Sequence, residues 1–173
     1  MPDPVQQLRE RLMRLIQRWR AQGLPSHQAL AIEADGLVKW KKDNHVDGLW
    51  TYRPTMLTAT LDDAIGQGLQ TIHRYADVLG IQVTALGLLQ KPESILAAVR
   101  RWVPDFLGLT ILQLDSDSDL CRVGHHLSPK TLLIAGGPVF RFDPEMADRC
   151  KVDYVARDVA GFMDYMLRWP TAS

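Results

Sequence analysis

Three short stretches of this chain carry residue types that could hold a ligand. Asp62-Asp63-Ala64-Ile65-Gly66 runs on into Gln67-Gly68, Thr110-Ile111-Leu112 sits late in an apolar run, and Gly136-Gly137-Pro138 closes another. Glycines at a helix amino terminus, as Gly66 and Gly68 would be, let a bulky or anionic ligand approach the backbone and its free N–H groups. Gly136-Gly137 at a strand end permits the same approach from a neighbouring loop. The alternative is that both are tight turns in an αβ protein that binds nothing.

A fourth group has metal-ligand chemistry. Cys121 and His125 are four residues apart, so they share a helix face, and His126 follows. A soft metal or a haem iron could use them. The plainer reading is a half-buried cysteine beside surface histidines near a helix end, where a cation suits the dipole. Asp115, Asp117 and Asp119 alternate with serines in the manner of a calcium loop, but the required glycine and distant glutamate are missing. Ser116 or Asp117 is better read as a helix cap. There is no Ser-His-Asp or Cys-His signature, no Gly-x-Gly-x-x-Gly and no phosphate loop, so the chain is not read as an enzyme.

The elements that must position these groups follow from hydrophobic spacing. Val5, Leu8, Leu12, Leu15, Ile16 and Trp19 form one stripe of a helix over residues 4–22, with arginines around the rest of its circumference. Ser26 caps a second helix reaching about residue 44. The pair makes a hairpin too short to cover its own stripe, which predicts docking on the rest of the chain or, preferred, a homodimer through the N-terminal helices. From residue 56 the pattern alternates. Strands are expected near 56–60, 81–86, 106–113, 131–135 and 152–155, and helices near 65–79, 92–102, 116–127, 143–149 and 159–168. Short apolar runs with helical crossovers predict an α/β fold with a flavodoxin-like five-stranded parallel sheet in order 2-1-3-4-5. The division is an N-terminal helical hairpin and connector over residues 1–54, then an α/β domain over 55–173.

In such a sheet, ligands bind outside the carboxyl ends of the strands, which is where the first three stretches fall. The region from Thr58 to Asp158 resembles the cobalamin-binding domain of corrinoid proteins, mutases and photoreceptors. That family's first loop reads Asp-x-His-x-x-Gly, its third strand ends in Ser-x-Leu and its fourth in Gly-Gly. Gly66, Thr110-x-Leu112 and Gly136-Gly137 stand at those positions. Val78-Leu79-Gly80-Ile81 looks like the family's turn into its second strand, and Lys91-Pro92-Glu93 like the start of its next helix.

Counting back from Gly66, the family's aspartate position holds Leu61 and its histidine position holds Asp63. The resemblance implies that this histidine ligates cobalt and the aspartate orients it. The chain therefore resembles the cradle without the ligand pair. The cofactor implied is cobalamin or another corrinoid, with haem as the alternative, held by Asp62, Asp63, Gly66, Thr110, Leu112, Gly136, Gly137 and Pro138. His125, His126 and Cys121 are the remaining metal candidates. In family members that do chemistry a four-helix segment caps the corrin, and residues 1–54 are short for that. A sensory, regulatory or accessory binding role with a protein partner is therefore preferred over a methyl carrier, and both over a ligand-free scaffold.

Composition narrows the setting. Lys and Arg total 20 against 20 Asp and Glu, so a nucleic-acid partner has no global electrostatic support. No apolar run approaches the roughly 20 residues that span a bilayer, and the Met-Pro-Asp-Pro start lacks the order of a secretion signal. The expectation is a cytoplasmic protein.

Overall fold

A computed structural model describes residues 1–63 and 67–170. The chain separates into two compact units. One holds residues 1–54, 67–82 and 158–173, and the other residues 55–66 and 83–157.

The first unit is helical. It contains α1 (Pro4–Gln22), α2 (His27–Asp43), α3 (Gln67–Leu79) and α8 (Val159–Arg168). Asp3 and Ser26 cap α1 and α2 as their side chains accept from Val5 and Ala29 N–H groups. The stripe residues Leu8, Leu12, Ile16 and Trp19 are all buried, because α1 packs on α8 while α2 packs on α3. A homodimer through the N-terminal helices is expected where that stripe is left bare. It is covered within one chain.

The arginines of α1 are also engaged internally. Arg9 donates to the carbonyls of Leu167 and Leu49, Arg11 lies over the Trp40 ring, Arg18 pairs with Glu33 and Arg20 with Asp164. At the centre, the Tyr75 hydroxyl donates to the Leu30 carbonyl at 2.8 Å and Trp19 meets the Tyr75 ring edge-on. Burial, reinforced by Glu33, pushes the Tyr75 hydroxyl pKa well above its usual range. The connector and the end of α3 touch at Gly48 and Gly80, where a Cβ on either would lie about 2.6 Å from the other's backbone.

The second unit is the sheet. Its strands are β1 (Thr55–Thr60), β2 (Gln82–Gly87), β3 (Phe106–Thr110), β4 (Leu132–Gly136) and β5 (Tyr154–Ala156). They form one parallel sheet in order β2-β1-β3-β4-β5, as expected. Met56 is level with Phe106, and Phe106 in turn with Leu132. The connecting helices here are α4 (Pro92–Trp102), α5 (Asp117–His126, preceded by a 3-10 turn at Leu114–Ser116), α6 (Val139–Phe142) and α7 (Met146–Arg149). Period-two residues Leu57/Ala59, Leu107/Leu109 and Leu133/Ala135 turn one face toward Ile95 and Val99 of α4 and Leu120 and Val123 of α5.

Two elements depart substantially from the spans expected of the sequence, and a disulfide joins two others. The third strand ends at Thr110 rather than residue 113, because the N–H groups of Leu112 and Gln113 turn to the Asp62 carboxylate. The helix expected over 143–149 is a four-residue turn, Met146–Arg149, because Asp143-Pro144 follows a separate short helix, Val139–Phe142. Cys121 and Cys150 form a disulfide that ties α5 to the end of α7.

Candidate functional site

The site is built on Asp62. Its side chain is 4% exposed. Oδ2 accepts from the N–H of Leu112 at 2.9 Å, the N–H of Gln113 at 3.0 Å and the Ser116 hydroxyl at 3.1 Å. The backbone carbonyl of Asp62 accepts from the Thr60 hydroxyl at 2.8 Å and from Leu89 N–H at 3.4 Å. One residue thus joins the loops that follow β1, β2 and β3. Its second oxygen, Oδ1, is buried and has no hydrogen-bond partner among the described residues.

The loop after β4 is laced to the same place. Ile111 N–H donates to the Gly136 carbonyl at 2.9 Å, and Gly137 takes a φ of +122°. A Cβ on Gly137 would fall 1.9 Å from the Ile111 carbonyl oxygen. The protein's own backbone contact is therefore a sufficient reason for glycine at 137, beside the expected approach of a ligand. Gly136 is milder, with a Cβ 3.1 Å from the Ala156 carbonyl.

Around these loops the surface is apolar where a soluble domain would ordinarily be polar. Leu88 and Leu89 after β2, Leu112 and Leu114 after β3, and Phe142 after β4 are all exposed, Phe142 at 77%. Leu61, Asp62, Asp63, Leu89, Gln113 and Ser116 line a cavity of about 430 Å³ that also reaches Asp115 and Asp119. Leu61 and Leu89 are the apolar part of this lining and the other six residues are polar, while the exposed leucines of the same loops supply further apolar surface. The sequence reading did not include Leu89, Gln113, Leu114, Ser116 or Phe142. Its one available signal was Leu88-Leu89, an apolar pair between turn residues Gly87 and Pro92.

The predicted residues divide accordingly. Asp62, Asp63, Thr110, Leu112, Gly136, Gly137 and Pro138 all stand at the carboxyl ends of β1, β3 and β4. Asp63 is exposed and accepts from the Gln113 amide at 3.3 Å. Gly66 lies outside the described residues. The metal candidates are elsewhere. Helix α5 leaves the carboxyl end of β3 and returns toward the amino end of β4, so His125 and His126 in its last turn are carried away from the site. Their ring nitrogens lie 2.9 Å from the Arg149 carbonyl and 2.8 Å from the Arg122 carbonyl. Cys121 is withdrawn as a metal ligand, since its sulfur is bonded to Cys150. Among the described residues no cluster of three or more His, Cys, Asp or Glu suits a metal ion. The haem alternative loses its axial candidates with them.

A family model described as the B12 binding domain matches residues 55–161, well over half of the chain. The chain belongs to the B12 binding domain family. Solved structures agree on the fold. A cobalamin-binding protein from Desulfitobacterium hafniense DCB-2 is 16% identical with a TM-score of 0.78, covering 96% of this chain and 81% of that one. The monomethylamine corrinoid protein of Methanosarcina barkeri is 16% identical at a TM-score of 0.60, over 90% and 77% of the two chains. The methanol:cobalamin methyltransferase complex MtaBC of the same organism contains a chain 19% identical at 0.63, over 98% and 69%. No curated protein sequence matches. Membership makes this a domain of the B12-binding kind. Among the described residues no helix is long and apolar enough to cross a membrane.

Proposed function

We propose that this B12 binding domain holds a corrinoid across the carboxyl ends of β1, β3 and β4 and contributes no imidazole to its cobalt. The observation that carries this is the pairing of an apolar rim (Leu89, Leu112, Leu114, Phe142) with a loop junction made by Asp62, at the face where such sheets bind ligands. The residues fit a corrin as a cradle. They offer cobalt no nitrogen donor: the side chains at the junction are carboxylates, an amide and a hydroxyl, and the two described histidines of α5 are carried away from it. When bound, the corrinoid supplies a redox-active metal. This chain supplies the surface that orients it.

The role we infer is sensory, regulatory or accessory, within the cytoplasm. The hairpin supports this over methyl carriage, because its apolar stripe is already engaged with α8 and α3 in its own unit. A partner protein would read occupancy only if it binds the loaded and empty states differently. The methyl-carrier alternative draws on likeness to the monomethylamine corrinoid protein and to MtaBC, and would need a separate methyltransferase as partner.

Titration of the purified chain with cobalamin, followed by visible absorption and calorimetry, tests the reading. Saturable 1:1 binding is expected, and haem should not compete. Haem binding in preference to cobalamin would overturn it.

A further inference from the structure

The junction leaves one atom without a function. Oδ1 of Asp62 is shut away from solvent and lacks a hydrogen-bond donor among the described residues. Such groups are rare in folded proteins, because the lost hydration is not repaid. Among the described residues, the donors that meet at this junction are already committed. Leu112 N–H, Gln113 N–H and Ser116 Oγ all go to the other oxygen, Leu89 N–H is shared between Thr60 Oγ1 and the Asp62 carbonyl, and the Gln113 amide goes to Asp63. Three donors on Oδ2 hold the carboxylate in one orientation. Asp62 also belongs to the wall of the 430 Å³ cavity. A buried acceptor, rigidly oriented and unpaired in the wall of a ligand cavity, is a group prepared for a donor that arrives from outside.

We propose that Asp62 is the positioning residue for the corrinoid, with Oδ1 accepting a hydrogen bond from one of the carboxamide N–H groups on the corrin rim. The inference rests on the corrinoid reading above and adds to it the atom that reads the ligand's periphery. Because Oδ1 lies beneath the cavity surface, loading parts the wall at Asp62 and the new hydrogen bond offsets that opening. The specificity follows: a corrinoid whose rim amides are converted to esters has no N–H to offer, and a site built to hydrogen-bond a donor discriminates against an analogue lacking it.

The test pairs Asp62→Asn with two ligands, cobalamin and a corrinoid bearing methyl esters in place of its rim amides. Asparagine keeps a carbonyl oxygen for the three donors and places an NH₂ where Oδ1 stood, so that donor would face donor. Cobalamin affinity is expected to fall at least tenfold, while affinity for the ester corrinoid changes by less than twofold. Circular dichroism checks that the variant is folded. Equal losses for both ligands, or none for either, would overturn the proposal and leave Asp62 a structural tie. Ser116→Ala gives a second reading should Asp62→Asn fail to fold. Removing one of the three donors frees the carboxylate to turn, so the preference for amide over ester should shrink, and an unchanged preference contradicts the proposal. Failure of the wild type to bind either corrinoid is a different result, and it overturns the functional reading itself.

Discussion

The two ends of the sheet use the same device to different effect. At the amino ends, Asp105 accepts from Thr55 N–H at 2.9 Å, Asp153 accepts from Leu133 N–H at 2.7 Å, and the Thr131 hydroxyl donates to the Pro104 carbonyl at 2.7 Å. Each closes one loop onto one strand. At the carboxyl ends one residue, Asp62, ties its own loop to the loop after β3 through its carboxylate and to the loop after β2 through its backbone carbonyl, and one carboxylate oxygen keeps no partner among the described residues. It is flanked there by exposed leucines and Phe142. Carboxylate-to-backbone bonding finishes a fold at one end. At the other it builds a frame with capacity left over, and that surplus is what the proposed site would use.

The comparison breaks most visibly at Gly137. Gly137→Val would put a branched side chain at φ +122° against the Ile111 carbonyl, and should cost about 3 kcal/mol or more, seen as a large fall in the thermal midpoint without any ligand present. A variant that melts like the wild type but no longer binds cobalamin would restore the glycine to a purely ligand-facing role.

Reduction of Cys121–Cys150 comes next. The bond closes a segment containing β4, the Gly136-Gly137-Pro138 turn and α6. Opening it should destabilise the sheet unit by about 3 kcal/mol on a chain-entropy account. Thermal melts with and without a phosphine reductant would measure this, and coincident curves would show that the tie contributes nothing.

Asp105→Ala sharpens the contrast between the two ends directly. It removes one closure at the amino end and should cost about 1–2 kcal/mol by denaturant titration. Cobalamin affinity of the folded variant should stay within twofold of wild type, and a tenfold loss would mean the ends are not functionally distinct.

The smallest effect is a pH dependence in the helical unit. Burial lowers the pKa of His73 below its ordinary 6.5. The unfolded chain then binds the proton more readily than the folded one, so this contribution to stability is intact above pH 6.5 and is lost as pH falls through the folded-state value. His73→Gln should flatten the stability profile between pH 7 and 5. An unchanged slope would assign the acid sensitivity to other groups.

Much of the fold was legible because it follows from local periodicity. The apolar runs with helical crossovers lead to the strand order, and Asp3 and Ser26 announce their helices by side-chain type. The clustering of the candidate residues at the carboxyl ends of the strands was legible, but the contacts they make were not. Loop glycines look alike in sequence whether they admit a ligand or a neighbouring carbonyl, so the contact of Gly137 with Ile111 leaves no local sign. Ile111-Leu112-Gln113 has strand composition, but a carboxylate 50 residues away takes its N–H groups, and no local pattern records that. The disulfide and the covering of the α1 stripe by α8 are likewise contacts between distant segments. Two cysteines 29 residues apart carry no sign of pairing by themselves.

The central claim is a corrinoid held at this face without a protein nitrogen on its cobalt. Electron paramagnetic resonance of the cobalt(II) form, bound to unlabelled and to uniformly ¹⁵N-labelled protein, tests it most directly. The account predicts two identical spectra. Hyperfine splitting that changes with the protein's nitrogen isotope would contradict it.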